Sequence, residues 1–274
     1  MARLDRYVVI GNPVSHSLSP AIHARFAAQT GDSLEYTTLL VPLGDFEREA
    51  ARFFAAGGAG ANVTLPFKVD AFRFATRASE RARLAGAANV LISGDGTIAA
   101  DNTDGAGLVA DLVDNLGMTL EGRSILLLGA GGAARGVVAP LLAERPARLV
   151  IANRTAARAR ELAEIFAPHG PVEATALQSI PETRYDLVVN ATSTSTRGES
   201  LDLPEHVLGP GTLAYDTAYG PATRAFAAMA SARGARTCDG LGMLVEQAAE
   251  SFRLWRGRSP DTGPVLAELR ARLA

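Results

Sequence analysis

Ser124-Ile125-Leu126-Leu127-Leu128-Gly129-Ala130-Gly131-Gly132-Ala133-Ala134 is the stretch on which the reading of this chain turns. Five residues of buried-strand character run directly into a glycine turn and then into a helical pattern. Gly129 suits the tight turn, Gly131 lets the backbone approach a pyrophosphate, and the small Ala134 lets helix and strand close on each other. Gly129, Ala130, Gly131, Gly132 and Ala133 are therefore candidate contacts to a dinucleotide, whose phosphates would face the unpaired amides of the helix start. The plainer alternative is an ordinary strand-to-helix turn.

Working outward, the next strand ends at Asn153-Arg154-Thr155. An NAD-binding chain commonly has an acid there, on the ribose 2′-hydroxyl. Here no acid is present, and Arg154 and Arg158, four residues apart, can flank a 2′-phosphate. NADP(H) is the expected cofactor. Strands at 124–128, 149–152, 187–190 and 213–216 alternate with helices at 132–143 and 156–166, which spells a Rossmann-like, doubly wound parallel sheet. Upstream, strands at 7–10, 35–41 and 60–63 alternate with helices at 20–29 and 44–56. A hairpin follows at 89–92 and 97–100, around Ser93-Gly94-Asp95-Gly96. The fold class expected is two α/β domains, with a break in pattern near Arg123. Asp104 is placed to cap a helix over 105–116. A further helix over 241–257 suggests that the chain returns to its first domain.

Composition narrows the function. Forty-seven per cent hydrophobic residues can fill a core, and one cysteine, Cys238, permits no intramolecular disulfide and fits a reducing cytoplasm. The net charge of −2 is spread without a basic block, so no nucleic-acid partner is expected. No apolar stretch approaches the ~18 residues of a membrane span. The four histidines, at 16, 23, 169 and 206, show no metal-ligand spacing, and no metal is expected. Against 26 arginines, Lys68 is the only lysine. Guanidinium does not trade protons in proteins and an ammonium can, so a lysine kept in so arginine-rich a chain is a candidate for proton transfer; survival by chance is the alternative.

Polar clusters at Ser15-His16-Ser17-Leu18-Ser19, Asn62-Val63-Thr64-Leu65-Pro66-Phe67-Lys68, Asn89 and Asp101-Asn102-Thr103-Asp104 fall at the ends of first-domain elements. Rich in hydroxyls and amides and poor in charge, they suit a polyhydroxylated small molecule. His16 is expected to order its loop.

These clusters, the glycine turn, Asn153-Arg154-Thr155, Asn190-Ala191-Thr192-Ser193 and Asp239-Gly240-Leu241-Gly242-Met243-Leu244 with Gln247 run along the chain in one order, and in them the chain resembles the shikimate dehydrogenase family. The resemblance implies that Lys68 and Asp104 act on the reacting oxygen. It implies that Ser17, Ser19, Thr64, Asn89, Asp104, Tyr219 and Gln247 contact substrate. Thr192, Thr217 and Gly240 would join Asn153, Arg154, Thr155 and Arg158 at the cofactor. Residues 1–104 with 239–274 would form the catalytic, substrate-binding domain and 105–238 the NADP-binding domain of a monomer or homodimer. The activity implied is NADPH-dependent reduction of 3-dehydroshikimate, with Lys68 as general acid and Asp104 orienting its ammonium.

Three positions depart from the family pattern: Val90, Thr194-Ser195 and Thr223-Arg224-Ala225. They leave open a quinate or quinate/shikimate dehydrogenase, a relative acting on a modified shikimate, or an idle NADP-binding regulator.

Overall fold

A computed structural model describes residues 4–199 and 201–273, which form two compact units. Unit 1 comprises the chain up to Gly107 together with Leu244–Arg272, and unit 2 comprises Leu108–Met243. Among the described residues, no helix is long and apolar enough to cross a membrane.

Unit 1 begins with β1 (Asp5–Gly11), α1 (Ser19–Thr30), β2 (Leu34–Leu40), α2 (Phe46–Ala55), β3 (Gly58–Val63), α3 (Lys68–Phe74), β4 (Arg77–Ala78), α4 (Glu80–Ala85), β5 (Val90–Gly94) and β6 (Thr97–Asp101). The sheet order is β2-β1-β3-β5-β6-β4. β1 runs parallel to β2 and β3, whereas β5 runs antiparallel to β3 and β6. The carboxyl ends of β1, β3 and β6 and the start of β5 therefore share one edge of the sheet. Val8, Ile10, Ala61, Val63 and Leu91 form one core with Phe46 and Phe67 of the flanking segments. Each such large apolar side chain, fully buried, contributes about 1.5–3 kcal/mol.

α5 (Asp104–Ala110) follows, continued by a wider helical turn over Asp111–Asn115. Unit 2 then builds β7 (Ser124–Leu128), α6 (Gly132–Ala143), β8 (Arg148–Asn153), α7 (Ala156–Phe166), β9 (Val172–Ala176), β10 (Leu187–Asn190), β11 (Leu213–Asp216), α8 (Arg224–Ala232) and β12 (Arg236–Asp239). The order β12-β11-β10-β7-β8-β9 is parallel throughout. Strand order reverses between β7 and β10, which marks the end of β7 as the switch point where ligands bind such sheets. Alternate residues Leu126, Leu128, Val150, Ala152, Val188 and Ala214 pack into one buried cluster. Their neighbours Ile125, Leu127, Leu149, Ile151 and Val189 are buried on the other face. A sheet covered on both faces explains the unbroken apolar runs of its central strands. The chain closes with α9 (Leu241–Arg256) and α10 (Thr262–Leu273).

Two expectations are revised. The 93–96 turn is tighter than expected: β5 runs on to Gly94, and Asp95 and Gly96 alone make the reversal, both at positive φ as a two-residue hairpin turn requires. Asp104 is not a cap preceding its helix. It is the first residue of α5, its amide donates to Asn102 Oδ1 at 3.1 Å, and its carboxylate is engaged elsewhere.

Candidate active site

Lys68 opens α3 just beyond β3, and Asp104 opens α5 just beyond β6, so two parallel strands deliver both residues to the same sheet edge. Lys68 Nζ donates to Asp104 Oδ2 at 2.6 Å, with side-chain exposures of 13% and 6%. The other carboxylate oxygen, Oδ1, accepts from Asn89 Nδ2 at 2.9 Å. Asn89, at the start of the antiparallel β5, reaches this edge from the opposite chain direction. Its Oδ1 accepts from the Thr103 amide at 2.7 Å, which fixes which way the side-chain amide faces. Asn89 Nδ2 also lies 2.9 Å from Gln247 Oε1 on α9 and 2.9 Å from Thr103 Oγ1. Two hydrogens of this buried amide thus face three acceptors.

Ser17 and Ser19 follow β1, and Thr64 follows β3, at the same edge. Ser17 Oγ accepts from the Ser19 amide at 3.3 Å, and Ser19 is buried at the start of α1. Unit 1 therefore gathers Lys68, Asp104, Asn89, Thr64, Ser17, Ser19 and Gln247. Tyr219 belongs to unit 2, in the turn after β11. His16 is exposed and makes no hydrogen bond among the described residues, so it does not order its loop through one.

In unit 2 the glycine turn occupies the switch point. Gly129 sits at φ +111°, and a Cβ there would lie 3.0 Å from the Ala191 carbonyl oxygen, so backbone conformation and packing both demand glycine. Gly131 precedes α6 without a side-chain cap, and no heavy atom lies within 4 Å of where its Cβ would be. The start of a twelve-residue helix thus has unused amides beside open space. Ala130 is buried and Ala133 half-buried at its base. At the end of β8, Asn153 Nδ2 donates to the Thr155 carbonyl at 2.9 Å, shaping the turn into α7. Arg154 and Arg158 are exposed, and neither pairs with a carboxylate among the described residues. Uncapped amides followed by two free guanidiniums fit a pyrophosphate and a 2′-phosphate.

The turn after β10 holds Thr192, whose Oγ1 donates to Asn190 Oδ1 at 2.7 Å; Thr217 Oγ1 donates to the Asn190 carbonyl at 3.0 Å. Gly240 donates its amide to the Ala218 carbonyl at 2.7 Å. Beneath them Asp216 is buried, its Oδ2 accepting from Ser195 Oγ at 2.5 Å and from Asn190 Nδ2 at 3.0 Å. Burial pushes the Asp216 carboxyl up, opposed by its bonds to Ser195, the Ala218 amide and Asn190. Ser195, a departure from the family pattern, thus anchors the turn to a buried acid. Sequence reading passed over Asp216, whose only signal is its place at the end of a parallel strand.

A glycine turn opening onto uncapped helix amides in one unit, and a lysine–carboxylate pair among amides and hydroxyls in the other, fit an oxidoreductase of the nicotinamide-nucleotide class. Known relatives identify it further. Residues 9–91 match the family model "Shikimate dehydrogenase substrate binding domain", 111–198 match "Shikimate / quinate 5-dehydrogenase", and 240–270 match "Shikimate 5'-dehydrogenase C-terminal domain". The shikimate dehydrogenase (NADP(+)) of Dechloromonas aromatica (strain RCB) is 55% identical over 98% of this chain and 98% of its own. That of Paracidovorax citrulli is 55% identical with the same coverage of both chains. Among solved structures, an Ael1 enzyme from Pseudomonas putida is 47% identical, with a TM-score of 0.89 over 97% of this chain and 98% of that one. Shikimate 5-dehydrogenase from Thermus thermophilus, in complex with NADP(H) and shikimate, is 33% identical, with a TM-score of 0.84 over 98% of this chain and 100% of its own. The chain belongs to the shikimate dehydrogenase family.

Proposed function

We propose that this chain catalyses the reversible, NADPH-dependent reduction of 3-dehydroshikimate to shikimate, a step of chorismate and aromatic amino acid biosynthesis, in the cytoplasm and as a monomer or homodimer. The observation that carries the mechanism is the 2.6 Å bond between Lys68 Nζ and Asp104 Oδ2, with Asn89 on the second carboxylate oxygen. The family's cofactor, when bound, supplies the hydride. Gly129, Ala130, Gly131, Gly132 and Ala133 would hold its pyrophosphate and Arg154 and Arg158 its 2′-phosphate, with Asn153, Thr155, Thr192, Thr217 and Gly240 completing the contacts.

As the ring carbonyl turns into an alkoxide, Lys68 stabilises the developing charge and gives up a proton from Nζ. In the reverse direction the neutral amine takes the hydroxyl proton. Asp104 keeps the ammonium aimed and offsets the cost of holding a cation in a largely buried place. Ser17, Ser19, Thr64, Asn89 and Gln247 provide hydrogen bonds to the ring hydroxyls and carboxylate.

Initial rates with shikimate and quinate, each with NADP and NAD, test the reading. Shikimate with NADP is expected to give the highest kcat/KM; preference for quinate or for NAD would refute it.

A further inference from the structure

Unit 1 contains a buried line of hydrogen bonds to which no role above is assigned. Tyr36 on β2 donates its phenolic hydroxyl to Asn62 Oδ1 on β3 at 2.7 Å. Asn62 Nδ2 donates to Ser251 Oγ on α9 at 3.0 Å and to the Asn89 carbonyl at 3.2 Å. Ser251 Oγ donates to the Gln247 carbonyl at 2.8 Å, and lies 3.2 Å from Thr103 Oγ1. Tyr36, Asn62, Thr103 and Ser251 are all buried.

The direction of this line is fixed by counting protons. The Asn62 amide has two hydrogens and two acceptors in reach, while its carbonyl oxygen takes the Tyr36 proton. A flipped amide would set Oδ1 against the Asn89 carbonyl and leave the phenol facing a donor. One orientation alone satisfies every group. At one end the line starts from the buried Tyr36 phenol. At the other end stand Asn89 and Gln247. His23 stacks on the Tyr36 ring, with centroids 4.2 Å apart and planes 8° from parallel. Neither of its nitrogens has a hydrogen-bond partner among the described residues, so it holds the ring without competing for the hydroxyl.

We propose that Tyr36, Asn62 and Ser251 are positioning residues that fix Asn89 and Gln247, through their main-chain carbonyls, at the substrate site, and thereby set affinity for the hydroxylated ring. This rests on the substrate reading above. Lys68 and Asp104 hold each other directly, so loss of a remote hydroxyl weakens binding more than proton transfer.

The test measures KM and kcat for shikimate with NADP in the parent, Tyr36→Phe, Ser251→Ala and the double variant, with melting temperatures alongside. Each single variant is expected to raise KM for shikimate about tenfold, the effect of one mis-set hydrogen bond of ~1.4 kcal/mol. The expected kcat stays within about twofold and KM for NADP is unchanged. Because both changes cut one line, the double variant should show less than the product of the single effects. Should Ser251→Ala fail to fold, Tyr36→Phe, which deletes one oxygen from a ring held by stacking, decides the matter alone. Lower melting temperatures with KM for shikimate within twofold of the parent would make the line merely structural and overturn the proposal. A parent that does not turn over shikimate refutes the substrate reading and this inference with it, whereas an active parent with unaffected variants refutes the inference alone.

Discussion

Lys68 Nζ and Asp104 Oδ2 are 2.6 Å apart although 36 residues separate them in the chain, and the pairing is made by two parallel strands that end at one sheet edge. The short contact ties the position of the ammonium to that of a carboxylate already held by Asn89.

Replacing Lys68 by arginine keeps the charge but removes the ability to release a proton. Turnover is expected to fall by about 10²–10⁴, the usual contribution of a positioned general acid, with KM for shikimate changed far less. Steady-state kinetics decide this, and near-normal kcat would remove Lys68 from the proton-transfer role.

Arg154→Ala separates the two nicotinamide cofactors. With one of two exposed guanidiniums gone, KM for NADPH should rise roughly 10- to 100-fold while KM for NADH stays within about twofold. Equal weakening of both would show that Arg154 does not read the 2′-phosphate.

His23 makes stability depend on pH. Burial pulls its pKa from 6.5 down to about 3. The unfolded chain therefore binds this proton more readily than the folded one. The associated stability is complete above about pH 6.5 and declines as pH falls towards 3. Between about pH 7 and 5 the loss amounts to about 2 kcal/mol. His23→Phe keeps an aromatic ring against Tyr36 and should remove that loss. Urea unfolding at both pH values is the measurement, and equal acid sensitivity in parent and variant would contradict it.

Ser195→Ala deletes a hydrogen bond to the buried Asp216 carboxyl. The folded-state pKa of this carboxyl is already raised, so its ionisation costs stability as pH rises through that value, and losing the hydroxyl raises it further. The variant should be less stable by about 1–3 kcal/mol, with the deficit shrinking as pH falls. A deficit that grew on acidification would reverse the assigned sign.

Strands β7, β10 and β11 and helices α6 and α7 were readable in the sequence to the residue, because both faces of the central strands are covered and their apolar runs are unbroken. The edge strands β9 and β12 escaped notice: Glu173 and Thr175, and Arg236 and Thr237, give them no such run. α3 and α4, of seven and six residues, are too short for periodicity to register. At the site, residue types announced the glycine turn, Lys68 and the amide clusters. They could not say whether Asp104 caps a helix or meets a lysine, since one carboxylate serves either purpose and the choice is made by a strand far away in sequence. Ser251 was invisible for a related reason. A serine inside an amphipathic helix acquires meaning only when Asn62 and Thr103 are seen against it.

With Lys68 as its single lysine, the chain holds one ε-amino group, and that group lies in the proposed proton-transfer pair. Isotope-labelled lysine would therefore give one side-chain nitrogen resonance, reporting protonation there without any need for assignment. A protease specific for lysine would likewise have one side chain to recognise, and amine-selective reagents would compete with Asp104 for it.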